Sequence, residues 1–270
     1  MPDFSDILFL TDFDLTLTDG VNIPKRNLDA IEYFKQNGGL FGVATGRAKS
    51  TFAPQLGKVE LNAPCVLSNG ALIYDFAKDE TLAIHQMSAE QRDKVLRMYN
   101  KYAERAIFEV EVGLEIYLPD DSLAINVNDY TRHHFEWVEH VSRQVPLAEI
   151  PDTWLKAVFT AAPEDIPAIA EEAKAFGLNG VTSLPFMLEI QPEGIDKGKS
   201  ARELANMLGR KLVCAGDAPN DLAMLKEADR TFVPSSAYPE ILALGFEVVC
   251  DCKDGAVADA IERLEDAKWD

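Results

Sequence analysis

The stretch FLTDFDLTLTDG, residues 9–20, decides how the rest of the chain is read. The apolar run over residues 7–10 reads as a buried strand. It ends in Asp12 and Asp14, two carboxylates separated by Phe13 alone. Acids this close at a strand end repel each other and pack poorly, so their placement calls for a partner of opposite charge. In a parallel sheet, ligands bind beyond the carboxyl ends of the strands, near the point where strand order reverses. Two other strand-like runs also end in polar groups. LFGVA is followed by Thr45, Gly46 and Arg47, and KLVCAG by Asp217, with Asn220 and Asp221 in the next turn.

Around these runs the first seventy residues alternate strand and helix. In RNLDAIEYFKQNG the apolar Leu28, Ile31 and Phe34 recur at helical spacing before a glycine stop. LFGVAT, a short helix and CVLSNGALIYD follow, and this rhythm implies parallel strands joined by crossover helices. It returns near the end, with ARELANMLG, NDLAMLKEAD and AVADAIERLEDA as helices and KLVCAGD and RTFVP as strands. The middle reads as an α+β module. A helix over 89–105 precedes strands at AIFEVEV, LEIYLP and LAINVN, then a helical RHHFEWVEHV, WLKAVFTA, a helix through EDIPAIAEEAKAFG, and GVTSLPFMLEIQ. Glu109 and Glu111 alternate with Phe108, Val110 and Val112, as in a half-exposed sheet. The expected fold is therefore α/β: a doubly wound, Rossmann-like parallel-sheet core of residues 1–81 and 189–270, with an α+β module inserted over 82–188.

The chain has 270 residues, 47% of them hydrophobic, enough for a sizeable core. Its net charge of −19 disfavours nucleic acid or an anionic membrane surface as partner, and obliges any anionic substrate to find a local positive site. No run approaches membrane-spanning length, and the start lacks a basic, then apolar, secretory pattern. Cys65, Cys214, Cys250 and Cys252 are few and irregularly spaced, which suits a reducing cytoplasm better than a disulfide framework.

Taken alone, a D-x-D is a turn or a helix cap, and GDAPND is a cap with an acid at the helix start. Their joint occurrence, each directly after a short apolar strand, points to a cation site, and hard oxygen ligands suit Mg²⁺. A carboxylate there can act as a nucleophile towards phosphorus. Phosphoryl transfer then needs its oxygens held and neutralised, for which Thr45 offers a hydroxyl and PEGIDKGKS a lysine. That last stretch is not a P-loop. Gly194 and Gly198 enclose three residues where the motif requires four. In isolation Lys197 and Lys199 read as solvated lysines at a helix start.

With these segments in order, the chain resembles the haloacid dehalogenase superfamily of phosphohydrolases, and more closely its Cof-type, subfamily IIB sugar-phosphatase branch. DFDLTLTD is similar to that family's D-x-D-x-T, VATGR to its threonine motif, GIDKGKS to its lysine motif and GDAPNDLAML to its G-D-x-x-N-D. LSNGALIYD is similar to the stretch that follows the threonine motif in that branch. The resemblance implies that Asp12 is the nucleophile and Asp14 the general acid, then base. It implies that Thr45 and Lys197 bind the transferring phosphoryl group. Asp12, the main-chain carbonyl of Asp14, and Asp217 would hold Mg²⁺, with Asp221 close by. Asn220 would orient the phosphate, and Gly46, Arg47 and Asn69 would reach the substrate. The implied activity is hydrolysis of a small phosphorylated metabolite, chiefly a sugar phosphate, by a monomer or small homo-oligomer. Phosphomutase, dedicated glycosyl-phosphate phosphatase (of the mannosyl-3-phosphoglycerate type) and non-catalytic phosphosugar sensor are the alternatives. Two departures stand out: Leu15 replaces the glycine usual in D-x-D-G-T, and Ala218-Pro219 replaces a Gly or Ser followed by a variable residue.

Other clusters read as structural. Cys250 and Cys252 are expected to be idle thiols, His133, His134 and Glu136 a surface group, Phe135, Trp137 and Val138 cap packing, and Asp19 a turn residue.

Overall fold

A computed structural model describes residues 2–120, 132, 136 and 138–265. The chain divides into two compact units, the first comprising 1–46, 55–83 and 196–270, the second 47–54 and 84–195.

The first unit starts with β1 (Ile7–Thr11), every residue of which is buried. A wide turn follows, closed by Thr18 N–H donating to Phe13 O at 3.0 Å. Within it Asp14 is extended and Leu15 is left-handed. Helix α1 (Lys25–Gln36) and β2 (Leu40–Val43) come next. Asn27, buried on α1, ties the end of that turn in place by donating to Leu17 O at 2.9 Å. After the short α2 (Lys49–Phe52) the chain forms β3 (Cys65–Leu67), β4 (Leu72–Asp75) and β5 (Glu80–Ile84). β3 and β4 pair antiparallel, while a single parallel bridge, Ala44 to Val66, joins this small sheet to the end of β2.

The second unit contains α3 (Ala89–Tyr102), β6 (Ala106–Val112), β7 (Glu115–Pro119), β8 (Ser142–Val145), β9 (Trp154–Ala161), α4 (Ile166–Ala175), β10 (Asn179–Leu184) and β11 (Met187–Gln191). Among the described residues its sheet runs β10-β11-β9-β6-β7-β8. A reciprocal cap, Ser88 with Gln91, starts α3. Val95, Met98 and Tyr99 of α3 and Ile166, Ile169 and Ala173 of α4 bury one face of the sheet with Phe108, Val110, Phe159 and Ile190. The opposite face is not the solvated one that the alternation suggested. Glu109 and Glu111 are buried, and Lys156 Nζ lies 2.8 Å from both Glu111 and Glu189. A buried ammonium between two carboxylates takes the place of water. Burial works against the Lys156 charge, but Glu111 and Glu189 outweigh it and hold its pKa above the ordinary lysine value.

The chain returns to the first unit with α5 (Lys197–Leu208), β12 (Lys211–Ala215), α6 (Leu222–Glu227), β13 (Arg230–Pro234), α7 (Pro239–Leu242), β14 (Glu247–Val249) and α8 (Ala256–Glu265). Among the described residues the large sheet is five-stranded, in the order β14-β13-β12-β1-β2, with all pairs parallel. Order reverses at β1, which has β2 on one side and β12 on the other. That is a topological switch point, and ligands gather at the carboxyl ends of such strands.

The expected α/β fold, a parallel core with an inserted α+β module, is the observed one. The unit boundaries differ in detail from the sequence reading. Met187–Gln191 is hydrogen-bonded into the second sheet, so the first unit resumes at Asp196 rather than near 189. Residues 47–54 group with the second unit because Ala48 packs with Ile107, Ile116 and Leu118. The expected LAINVN strand and, within the RHHFEWVEHV segment, His133, His134, Phe135 and Trp137 lie outside the described residues.

Candidate active site

Register places the acids. Thr11 is level with Ala215 on β12 and with Val43 on β2, so the three strands end together. Beyond that line the ladder continues, with Asp12 N–H donating to Ala215 O at 2.8 Å and Ala44 N–H to Thr11 O at 2.9 Å. Asp12, Thr45 and Asp217 thus leave adjacent strands at one edge.

Lys197 completes the centre. It opens α5, where Asp196 caps the helix by accepting from Lys199 N–H at 2.9 Å. Far from being a solvated helix-start lysine, it is 1% exposed, and its Nζ donates to Asp12 Oδ1 at 2.6 Å and to Asp221 Oδ1 at 2.7 Å. Lys199 is exposed. The other oxygen of Asp221 accepts backbone N–H groups of Asp217 (3.1 Å) and Ala218 (3.0 Å). Asp221 therefore folds its own loop rather than capping the following helix. Gly216 permits the close approach, since a Cβ there would lie 2.6 Å from Asp221 Cβ.

Carboxylate oxygens of Asp12, Asp217 and Asp221 all lie within 4.8 Å of one another, and all three residues are buried. Among the described residues no other group of three metal-ligating side chains is this close. One ammonium does not balance three such acids. Burial first, and then Asp221, push the Asp12 carboxyl well above the usual carboxylate range against the pull of Lys197. Asp217 is pushed up to about 6, again by burial and then Asp221. Burial also works against the Lys197 charge, but Asp12 and Asp221 outweigh it and raise its pKa. A crowded, buried set of hard oxygen donors short of positive charge fits a divalent cation of the Mg²⁺ type.

The remaining motif residues divide. Thr45 is buried, and its backbone is fixed on both sides, donating to Val66 O at 2.8 Å and accepting from Asn69 N–H at 3.1 Å. Asn69 Oδ1 accepts from Asn220 Nδ2 at 3.4 Å and would stand 3.0 Å from a Cβ at Gly46. Gly46, Asn69 and Asn220 therefore belong to the same cluster. Asp14 is half-buried on the turn beside it. Arg47 is the exception, for it groups with the second unit.

Thr16 was missed by sequence reasoning. It is wholly buried and donates from Oγ1 to Asp217 Oδ1 at 2.6 Å, fixing that carboxylate across 201 residues of sequence. Its signal was present as the threonine of D-x-D-x-T. The turn reading of Asp19 holds. Asp19 Oδ1 accepts from Val21 and Asn22 N–H at 2.9 and 2.7 Å, a local turn, and all four cysteines are free.

Comparison with known proteins bears on the family and the fold. The family profile described as haloacid dehalogenase-like hydrolase matches residues 9–261. A Streptococcus pyogenes protein provisionally named a phosphatase is 25% identical over 271 residues, 95% of this chain and 97% of its own. HMP-PP phosphatase of Cronobacter sakazakii is 24% identical over 238 residues, 85% of this chain and 84% of its own. A solved sugar phosphatase of haloacid dehalogenase subclass IIB shares the fold, with a TM-score of 0.78 at 17% identity, over 95% of this chain and 98% of the other.

Proposed function

The chain belongs to the haloacid dehalogenase-like hydrolases, and from that premise we propose that it is a Mg²⁺-dependent phosphatase that hydrolyses a small phosphorylated metabolite, chiefly a sugar phosphate, by way of an aspartyl-phosphate. The observation that carries this reading is Asp12, a buried carboxylate at the switch point, held by the Lys197 ammonium at 2.6 Å and grouped with Asp217 and Asp221.

In this reading Asp12, Asp217 and the main-chain carbonyl of Asp14 hold the ion, with Asp221 close by. When bound, the ion neutralises charge on the transferring phosphoryl oxygens. The Asp12 oxygen attacks phosphorus as the bond to the leaving oxygen breaks, and Asp14 gives that oxygen its proton. Water then attacks the phosphorus of the aspartyl-phosphate, its proton passes to Asp14, and the Asp12–phosphorus bond breaks. Lys197 keeps Asp12 aligned and bears on the phosphoryl charge, with the Thr45 hydroxyl and Asn220 as further donors. Asp14→Asn is expected to cost about 10²–10⁴-fold in kcat, the usual range for a placed proton donor.

The first unit carries the chemistry in this proposal, and the second selects the substrate as a cap. Support for a polyhydroxylated substrate comes from that second unit. Among the described residues, Thr160 Oγ1, Ser183 Oγ and Gln191 Nε2 are buried without hydrogen-bond partners. By strand alternation Thr160 and Gln191 share the sheet face of Lys156 and Glu189, while Ser183 stands at the register shift of β10. Names of relatives point the same way, one being a sugar phosphatase and another an HMP-PP phosphatase. A cytoplasmic setting suits the four free thiols.

The test is a screen of phosphorylated metabolites for phosphate release with and without Mg²⁺, in the absence of any bisphosphate activator. Release from at least one sugar phosphate, dependent on Mg²⁺ and lost in Asp12→Asn, is the expected outcome. No release from any compound, or undiminished release by Asp12→Asn, overturns the proposal.

A further inference from the structure

The turn Ser68–Gly70, between β3 and β4, has a backbone its composition does not favour. Ser68, Asn69 and Gly70 all lie in the left-handed region, with φ of 53°, 52° and 103°. Only the glycine adopts this freely, whereas Ser68 and Asn69 carry side chains for which it costs on the order of 1 kcal/mol each. All three residues are buried. Backbone strain persists where the surroundings over-determine it. Here the surroundings are three motif segments drawn from distant parts of the chain.

Asn69 and Gly70 each touch one or more of them. Asn69 N–H donates to Thr45 O at 3.1 Å, and Asn69 Oδ1 accepts from Asn220 Nδ2 at 3.4 Å. Gly70 O accepts a buried hydrogen bond of 2.7 Å from Ser200 Oγ, one turn along the helix that Lys197 opens. Gly70 also packs against the start of that helix, where a Cβ would fall 2.3 Å from Asp196 O. Asp196 directly precedes Lys197. An ordinary connection between two antiparallel strands needs none of this, since a short exposed loop with one glycine suffices. What the buried, strained form adds is one rigid piece in register with Thr45, Lys197 and Asn220 together.

We propose that the Ser68–Gly70 turn, with Ser200 as its anchor, is a positioning element of the hydrolytic site: it fixes the Lys197 ammonium and the Thr45 backbone relative to Asp12. This rests on the phosphatase reading above. Gly70 and Ser200 act through Lys197 and need not meet the substrate. Displacing a reacting group by about 1 Å costs on the order of 10²-fold in rate, so changes at such residues lower kcat by more than they shift KM.

The experiment measures kcat, KM and the Mg²⁺ concentration for half-maximal activity of wild type, Gly70→Ala and Ser200→Ala, with p-nitrophenyl phosphate as substrate. Circular dichroism and thermal melts report whether each variant is folded. Gly70→Ala is expected to lose about 10²-fold in kcat and Ser200→Ala about 10-fold, with KM and the Mg²⁺ midpoint within about 3-fold of wild type. Ser200→Ala adds no atom and removes one hydrogen bond, so it decides the matter if Gly70→Ala does not fold. Folded variants with wild-type kcat overturn the inference. So does a fall in kcat that tracks an equal rise in the Mg²⁺ midpoint, because that is general loosening of the site. A wild-type enzyme that releases no phosphate from this or any metabolite overturns the phosphatase reading itself, and the inference with it.

Discussion

Asp12 and Leu15, three positions apart, show what the site asks of single residues. Asp12 is drawn out of water beside two other acids, a position that only an ammonium and a cation can make tolerable. Leu15 is 46% exposed with φ at 61°, so it holds a left-handed conformation with little burial in return. The glycine usual at this place in related sequences has a physical reason: the wide turn after β1 needs a positive φ there, and only glycine supplies it without strain. That accounts for the departure noted in the sequence. Leu15→Gly is accordingly expected to change stability by less than about 1 kcal/mol, relief of strain being offset by the added freedom of the unfolded chain. Leu15→Val, with its branched Cβ, is expected to cost about 1–3 kcal/mol. Urea unfolding of the two variants checks the pair, and equal stabilities would contradict it.

At the scale of elements, legibility followed burial. The strands β1, β2, β12 and β13 and the helices α1, α5 and α8 announce themselves, because each of these strands holds a short apolar run and the helices carry an apolar stripe. β8 and β14 do not. SRQV has no apolar signal, and EVV is only three residues long at a sheet edge. The second unit's sheet was read with the right alternation and the wrong environment. Nothing near Glu111 announces Lys156, which lies opposite it on β9 and turns a solvated face into a buried one. The same limit governs the site. Its motif residues were legible as strand-end acids, but the bonds from Thr16 to Asp217 and from Ser200 to Gly70 span 201 and 130 residues, and no local pattern encodes them. For the buried triad the expected outcome is specific. Lys156→Met removes the ammonium that the buried Glu111 and Glu189 share and costs about 3–5 kcal/mol. Replacing both glutamates as well, by Met and Leu, recovers most of that loss. Chemical denaturation of the single and triple variants distinguishes this from an exposed pair, for which the single change would cost under about 1 kcal/mol.

For the whole molecule the governing quantity is charge. A chain of net charge −19 that takes an anionic substrate needs a local positive site, and at the carboxyl end of the parallel sheet Lys197 sits among three acids. The same crowding makes stability depend on metal and pH. Asp217, ordinarily near 3.8, is pushed up to about 6, first by burial and then by Asp221. Between those values the folded state binds more protons than the unfolded one, so this group's contribution to stability falls as pH rises through the window. A cation that displaces the proton reverses the loss. Mg²⁺ is therefore expected to raise the melting temperature more at pH 7 than at pH 5, and a shift equal at both, or absent, would contradict the assignment of these acids to a metal.

The most direct measurement concerns the covalent step. Wild-type protein turning over a hydrolysable sugar phosphate with Mg²⁺ is quenched in acid and reduced with borohydride, which converts an acyl phosphate to the alcohol. Peptide mass spectrometry then finds the modified residue. The account predicts reduction at Asp12 and at no other carboxylate, dependent on both substrate and Mg²⁺. Steady phosphate release with Asp12 unmodified, or with another carboxylate carrying the change, would contradict it.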